Sequence, residues 1–222
     1  MQAEQVDALI EETAIIAVMR GAFGPDTALE LVDTLLESGI SVFEFTMNSD
    51  DPIGALKAAK AEFGEEACIG MGTVLTVDDA NAVMDAGADF VVSPAFQPEV
   101  VQAVLARDVL MVPGVITPSE ALQAWALGVK ALKLFPIGPL SVDYFKAISG
   151  ALSHMRFMCN GAINDKNAGE FVRAGAIAVG AAGWLTGDGS WPLNRIRSRA
   201  RILQNSIAVA RGGQAFEPYE DI

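Results

Sequence analysis

Short apolar segments alternate with amphipathic segments along this chain. The first unit begins with IIAVMR at 15–20 and continues into a polar turn and a helical pattern. In that pattern the apolar residues fall three or four positions apart, as on one buried helix face: Ala28, Leu31, Val32, Leu35 and Leu36. Gly39 follows at the point where a helix would end. The pattern therefore predicts a strand followed by a helix.

Comparable apolar segments predict eight strands, at 15–20, 41–48, 68–74, 90–95, 110–115, 131–136, 156–161 and 177–182. Helix starts are marked by capping residues: Asp51 before Pro52, Thr76 with Asp79, and Thr117 before Pro118. Segments such as FVVSP and LMVPGV lack polar alternation, which is typical of a parallel sheet covered by helices.

Eight strand–helix units predict the α/β class and a single (β/α)8 TIM barrel over 1–222, with a short N-terminal helix. A doubly wound sheet is the alternative, but no Gly-x-Gly-x-x-Gly fingerprint follows the first strand. The polar, aperiodic segment 212–222 is expected to be a loose tail.

The net charge of −13 argues against a nucleic-acid-binding surface, and it means that an anionic substrate needs a local positive site. Cys68 and Cys159 are too few for a disulfide framework, so we expect free thiols. The acidic N-terminus does not resemble a signal peptide, and the apolar segments are too short to span a membrane. We therefore expect a cytoplasmic protein without nucleic-acid or membrane partners.

One lysine lies inside an apolar segment, KALKLFPIGP at 130–139. Lys133 has Leu132, Leu134 and Phe135 around it on a predicted buried strand. An unpaired buried ammonium is costly, so such a lysine tends to become a neutral amine, which can attack a carbonyl and form a Schiff base. The alternatives are a lysine that extends to solvent from the strand end, or one that pairs structurally with a carboxylate.

Other polar residues fall at the carboxyl ends of the predicted strands, where TIM barrels place their active sites. Glu44 lies between two phenylalanines and could shuttle protons, or it could pair structurally with Arg20 on the adjacent strand. Arg20 could instead bind a carboxylate or phosphate. Thr73 follows a Gly-Met-Gly segment and could donate its hydroxyl to a ligand, or cap the next helix.

Small residues follow the last two predicted strands, in CNGAI at 159–163 and GAAGW at 180–184. Backbone N–H groups left exposed there could bind a phosphate, although small residues also serve close packing. The single histidine, His154, lies in a polar turn, and no set of metal ligands is evident.

Taken in order, FEFTMNS (43–49), GMGTVL (70–75), VVSPAF (91–96), MVPGVITPSE (111–120) and KLFP (133–136) resemble one family. They are similar to the 2-keto-3-deoxy-6-phosphogluconate (KDPG) and 2-keto-3-deoxy-6-phosphogalactonate aldolases, which include 4-hydroxy-2-oxoglutarate (KHG) aldolase activity. The resemblance runs from about residue 10 to 205. It implies a class I aldolase of carbohydrate metabolism, Entner–Doudoroff type, usually a homotrimer, that uses neither metal nor cofactor.

By this resemblance Lys133 forms an imine with pyruvate and Glu44 is the acid/base. Arg20 and Thr73 would contact the keto acid, while Pro94 and Phe135 would shape the pocket around it. The expected products are pyruvate and glyceraldehyde 3-phosphate.

Most of the residues expected around the rest of the substrate depart from the family pattern, and only Gly161 keeps it. These residues are Asn48, Asn160, Gly161, Ala162, Ala182 and Gly183. Asn48 replaces a frequent arginine but is typical of the galactonate-type enzymes. Ala162 replaces a glycine, and Gly183 replaces a serine, whose lost hydroxyl would weaken phosphate binding by about 1 kcal/mol. An aldolase for an unphosphorylated keto acid, another lyase or isomerase, and a non-catalytic sugar-acid-binding barrel therefore stay open as alternatives.

Overall fold

A computed structural model describes residues 1–64 and 66–213 of the chain. Its strands are β1 (Ile15–Met19), β2 (Val42–Thr46), β3 (Cys68–Gly72), β4 (Phe90–Val92), β5 (Leu110–Val112), β6 (Gly114–Val115), β7 (Leu132–Leu134), β8 (Phe157–Asn160) and β9 (Ala178–Ala181). Most of the predicted tail, 214–222, lies outside the described residues.

The α-helices of the described part are α1 (Ala3–Thr13), α2 (Pro25–Glu37), α3 (Pro52–Phe63), α4 (Val77–Asp85), α5 (Pro98–Leu105), α6 (Pro118–Trp125), α7 (Ser141–Ala151), α8 (Ala168–Arg173), α9 (Gly183–Thr186) and α10 (Leu193–Ala210). A 3-10 turn at Gly138–Leu140 precedes α7. The predicted N-terminal helix is α1. No helix in the described ranges is long and apolar enough to cross a membrane.

All strand pairs are parallel, in the order β5-β4-β3-β2-β1-β9-β8-β7-β6. The predicted fifth strand, 110–115, is divided in two at Pro113, which has no N–H to donate to a ladder. Its first part pairs with β4 and its second part with β7, so this one segment joins the two ends of the sheet. The TIM-barrel prediction is confirmed, and the doubly wound alternative is wrong.

Successive side chains along each strand point alternately into the barrel and outward to the helices, and this alternation divides the apolar residues into an inner and an outer core. Residues facing the barrel interior, among them Ile16, Val42 and Phe90, pack together with Val6 and Ile10 of α1, which covers one end of the barrel. Outward-facing residues such as Phe43 pack against the surrounding helices. Because the interior is apolar next to α1, the polar inward-facing residues are concentrated at the opposite, carboxyl ends of the strands.

The predicted helix starts are present. Thr76 and Thr117 each accept a hydrogen bond from the backbone N–H three positions later, and Asp51 accepts from Gly54. These side chains satisfy N–H groups that the first helical turn leaves unpaired, so they fix where the loops after the strands end.

Candidate active site

Lys133 and Glu44 meet inside the barrel. Nζ of Lys133 lies 3.2 Å from Oε1 of Glu44, and the two residues are 3% and 0% exposed. Their strands, β7 and β2, are separated by β1, β9 and β8 on one side and by β3 to β6 on the other. The two side chains therefore approach from opposite walls of the barrel. The second carboxylate oxygen of Glu44 is buried without a hydrogen-bond partner among the described residues.

Glycines on neighbouring strands make room for the long polar side chains. A Cβ atom at Gly72 would lie 1.9 Å from Oε1 of Glu44, and one at Gly180 would lie 1.8 Å from Nδ2 of Asn160. A side chain at either position would displace its polar neighbour. The sequence analysis did not identify these two glycines as site residues, because their role depends on which strands become neighbours.

A cavity of about 440 Å³ opens onto Lys133. A small organic ligand occupies a space of this order. Eight of the predicted site residues line the cavity: Arg20, Lys133, Phe135, Asn160, Gly161, Ala162, Ala182 and Gly183. Oδ1 of Asn160 is buried and unpartnered among the described residues, so the cavity wall offers a free acceptor as well as the amine.

Four predicted residues lie outside the lining of this cavity: Glu44, which reaches it only through its contact with Lys133, and Thr73, Pro94 and Asn48. Thr73 directly follows Gly72 at the end of β3 and has φ of 59°, a left-handed conformation that is unusual for a β-branched residue. Pro94 is packed closely against Gly114, which is the register partner of Lys133. A Cβ atom at Gly114 would lie only 2.3 Å from the Pro94 carbonyl carbon. Asn48 is exposed in the turn after β2.

Two of the structural alternatives are wrong. Glu44 contacts Lys133 and forms no ion pair with Arg20, which is exposed. The reason is the register: Val18 lies opposite Glu44, so Arg20 is two positions nearer the mouth of the barrel. Thr73 does not cap α4, since Thr76 does so. Lys133 does pair with a carboxylate, but its amine also borders a cavity, which a purely structural pair does not require.

The loop after β8 holds an unusual backbone. Gly161 and Ala162 have φ of 98° and 56°. The Ala162 carbonyl accepts hydrogen bonds from the side-chain amides of Asn164 and Asn167, at 3.3 and 3.0 Å. These contacts compensate for the left-handed conformation that alanine adopts less readily than glycine.

Trp184 is a cavity-lining residue that the sequence analysis did not select. The guanidinium of Arg199 lies 4.9 Å from its ring centroid and 4.5 Å from that of Trp191, and it donates to the Trp184 carbonyl. Burial, together with the nearby Arg195, lowers the pKa of Arg199. These contacts of Arg199 attach the cavity wall that contains Trp184, which follows β9, to helix α10.

The cysteines do not contribute a nucleophile. Both thiols are free, as predicted, and the structure shows that both are also buried. Cys159 precedes Asn160, but burial raises the pKa of its thiol well above its ordinary value, so little thiolate forms at neutral pH. Within residues 1–64 and 66–213, no three His, Cys, Asp or Glu side chains are grouped as potential metal ligands.

The family model described as KDPG and KHG aldolase matches residues 6–196. The chain belongs to this aldolase family. Family membership supports a lyase.

Individual KDPG and KHG aldolase relatives differ in their sugar acid. A probable 2-dehydro-3-deoxy-6-phosphogalactonate aldolase of Rhizobium meliloti is 30% identical over 91% of this chain and 95% of its own. A 2-dehydro-3-deoxy-phosphogluconate aldolase of Treponema pallidum is 31% identical over 72% of this chain and 76% of its own. Sequence identity therefore does not distinguish the two substrates.

A solved KDPG aldolase structure is also similar. It comes from Legionella pneumophila and holds pyruvate "captured at low pH as a covalent carbinolamine intermediate". It has 29% identity and a TM-score of 0.80, and the match covers 92% of this chain and 98% of the other. The aldolase fold is therefore shared over nearly the whole chain.

Proposed function

We propose that this aldolase works through a Schiff base on Lys133 and cleaves a 2-keto-3-deoxy-6-phospho sugar acid to pyruvate and glyceraldehyde 3-phosphate. The observation that carries the proposal is the 3.2 Å contact between Lys133 and Glu44, where the amine borders a cavity. The carbinolamine in the Legionella relative supports covalent chemistry with pyruvate by the same family.

The contact explains how the amine becomes reactive. Glu44 takes a proton from Lys133, and the neutral amine attacks carbon 2 of the keto acid to give a carbinolamine. Glu44 then returns a proton to the departing hydroxyl, and water leaves as the iminium forms. A carboxylate with one oxygen on the amine and the other unpartnered can serve both steps without leaving its place.

The iminium accepts the electron pair of the bond between carbons 3 and 4. As this bond breaks, the carbon 4 hydroxyl gives its proton to the Glu44 carboxylate and the aldehyde is released, which leaves an enamine on Lys133. Protonation of the enamine at carbon 3 and hydrolysis of the imine return pyruvate and the free amine. No metal or cofactor is needed for this sequence.

The remaining predicted residues are assigned to substrate recognition. Arg20 and Thr73 contact the keto-acid carboxylate, and Pro94 and Phe135 form the walls of the pocket around the pyruvyl group. At the other end of the ligand, backbone groups of 161–162 and 182–183, with Asn48 and Asn160, bind the sugar and its phosphate. The position of both short segments on the cavity wall supports this assignment. The family resemblance further supports a homotrimer, to be measured by light scattering.

A second candidate substrate is an unphosphorylated keto acid such as 4-hydroxy-2-oxoglutarate. It is favoured by Gly183, which brings no side-chain hydroxyl to the cavity wall. The competing substrates are separated by kcat/KM for the two phosphorylated epimers and for 4-hydroxy-2-oxoglutarate, each measured as release of pyruvate.

Reduction with borohydride in the presence of pyruvate tests the proposed chemistry. We expect a reduced pyruvyl adduct on the peptide that contains Lys133, and its loss in Lys133→Met. Lys130→Met is the matched control, because Lys130 lies on the same segment but is paired with Glu4 on the exposed surface. A folded protein that gives no adduct would favour the non-catalytic, sugar-acid-binding barrel instead.

A further inference from the structure

A relay of hydroxyl groups closes around the backbone of Arg20. Oγ1 of Thr46 lies 3.1 Å from the Met19 carbonyl oxygen and 2.9 Å from Oγ of Ser49. The N–H of Gly21 donates to Oγ of Ser49 at 3.2 Å. With one proton per hydroxyl, one arrangement satisfies the three shorter contacts: Gly21 N–H donates to Ser49, Ser49 to Thr46, and Thr46 to Met19. Oγ of Ser49 also lies 3.4 Å from the Met19 carbonyl oxygen, so a weaker direct contact joins the same two ends. The relay thus begins at the N–H of Gly21, the residue after Arg20, and ends at the carbonyl of Met19, the residue before it.

The same loop is held at further points. The Asp50 N–H donates to the Gly21 carbonyl at 3.1 Å, and the Ala22 N–H donates to the Asp188 carbonyl at 3.0 Å. Gly21 has φ of 129° and passes so close to Asp188 that a Cβ would lie 3.0 Å from its carbonyl oxygen. The backbone on both sides of Arg20 is therefore fixed by the turn after β2 and the loop after α9.

The side chain of Arg20 is not fixed in this way. It is exposed, and no ion pair or hydrogen bond holds its guanidinium among the described residues. Its position at the cavity therefore depends on its backbone. Thr46 is 0% exposed, and hydroxyls in such a chain strengthen one another, so the relay is a rigid support.

We propose that Ser49 and Thr46 are positioning residues for Arg20, and that they set the affinity for the keto-acid carboxylate without taking part in the chemistry. The inference rests on the proposed function, in which Arg20 binds that carboxylate. The relay also links the backbone on both sides of Arg20 to β2, the strand that carries Glu44, so the base of the Arg20 side chain is held at a fixed separation from that strand.

The test uses borohydride trapping of pyruvate as a function of pyruvate concentration. In Ser49→Ala we expect the half-saturating concentration to rise roughly five- to tenfold, where tenfold corresponds to about 1.4 kcal/mol. The maximal trapping rate should stay within about twofold, because Lys133 and Glu44 are unchanged. Ser49→Thr keeps a hydroxyl and should restore the affinity. Thr46→Val interrupts the relay from its buried end and provides a second variant if Ser49→Ala folds poorly.

Two comparisons separate positioning from a general structural effect. Ser38→Ala also removes a hydroxyl that donates to a backbone carbonyl, at 2.8 Å, but at the far end of α2, and it should leave half-saturation unchanged. In an Arg20→Ala background, adding Ser49→Ala should change half-saturation by less than about twofold, since the two residues act through one contact.

An unchanged half-saturating concentration in Ser49→Ala overturns the inference, as does a Ser49→Ala effect that persists in full without Arg20. Both results are obtained with a wild-type protein that traps pyruvate, so they leave the Schiff-base proposal intact. A wild type that traps no pyruvate overturns the proposed function and, with it, this inference.

Discussion

The position of the Glu44 carboxylate depends on the absence of a side chain at Gly72. A Cβ at Gly72 would lie 1.9 Å from Oε1 and 2.6 Å from Cδ of Glu44, whereas ordinary contacts begin near 3.4 Å. In Gly72→Ala the carboxylate must therefore move by about 1.5 Å. A movement of this size breaks its 3.2 Å contact with Lys133, which is held at the centre of β7.

The expected cost is large in activity and moderate in stability. A misplacement of about 1 Å in a catalytic group can reduce the rate roughly 100-fold. Overpacking of a buried site costs about 1–3 kcal/mol of unfolding free energy. The assay is exchange of the pyruvate methyl protons with deuterium, followed by NMR, because this exchange requires both the imine and an acid/base. Gly72→Ala should exchange roughly 100-fold more slowly than the wild type.

A matched control and a compensating change make the test specific. Gly150→Ala adds the same methyl group in helix α7, where no atom lies within 4 Å, and it should exchange at the wild-type rate. Glu44→Asp withdraws the carboxylate by about one bond length, 1.5 Å, so it should restore stability to Gly72→Ala without restoring exchange. If folded Gly72→Ala exchanged at the wild-type rate, Glu44 would not need to occupy this position for the exchange.

Three further predictions concern stability and thiol reactivity. Partial burial raises the pKa of Glu120, but hydrogen bonds from Ile116 and Thr117 outweigh it, so the pKa is lowered overall. The carboxylate therefore stabilises the fold fully above the unfolded-state pKa near 4.3, and this stabilisation is lost as the pH falls through the pKa of the folded state. Glu120→Gln should therefore cost about 1 kcal/mol in urea unfolding at pH 7, and this cost should become smaller as the pH falls below the range in which the carboxyl is ionised. Burial raises the pKa of Cys68 to about 12, so native protein at pH 8 should react with thiol reagents only on unfolding. Phe145→Ala, which removes a fully buried ring, should cost about 3–5 kcal/mol in the same measurement, whereas a cost below 1 kcal/mol would contradict this packing.

The fold could be predicted because each of its signals is local. Apolar segments, capping residues such as Thr76 and Thr117, and the missing polar alternation all act within a few residues of the strands and helices they define. The predicted strands were longer than those formed, since ladder pairing ends before the polar turns begin. The division at Pro113 could not be foreseen, because it depends on the change of partner from β4 to β7 when the barrel closes.

The candidate site was predicted only as far as single residues stand out. Lys133 was conspicuous because a charge inside an apolar strand needs an explanation from its own neighbours. Glu44 also stands out, between two phenylalanines, but its contact with Lys133 could not be derived from spacing, because the two residues are 89 positions apart and the contact depends on which strands face each other across the barrel. The predicted alternative, an ion pair of Glu44 with Arg20 on the adjacent strand, is wrong for a related reason. It depends on the register of β1 and β2, which places Val18 and not Arg20 opposite Glu44.

The supporting residues carry still weaker signals. Serine and threonine in a turn have many local hydrogen-bond partners, so Ser49 and Thr46 cannot be assigned to Arg20 from sequence spacing alone. Glycine in a strand is usually a weakness, and only the three-dimensional neighbour shows that Gly72 makes space for Glu44.

The buried pair is better explained by chemistry than by stability. Desolvation of two charges offsets most of their attraction, and well-packed apolar residues of similar size often stabilise a fold as well or better. Here one oxygen of Glu44 also has no hydrogen-bond partner among the described residues, and the carboxylate requires a glycine beside it, so the pair costs both a hydrogen bond and packing. The apolar interior next to α1 and the outer core supply the stability that this arrangement lacks. Such a cost is expected where an amine and a proton acceptor must meet in a site that excludes bulk water.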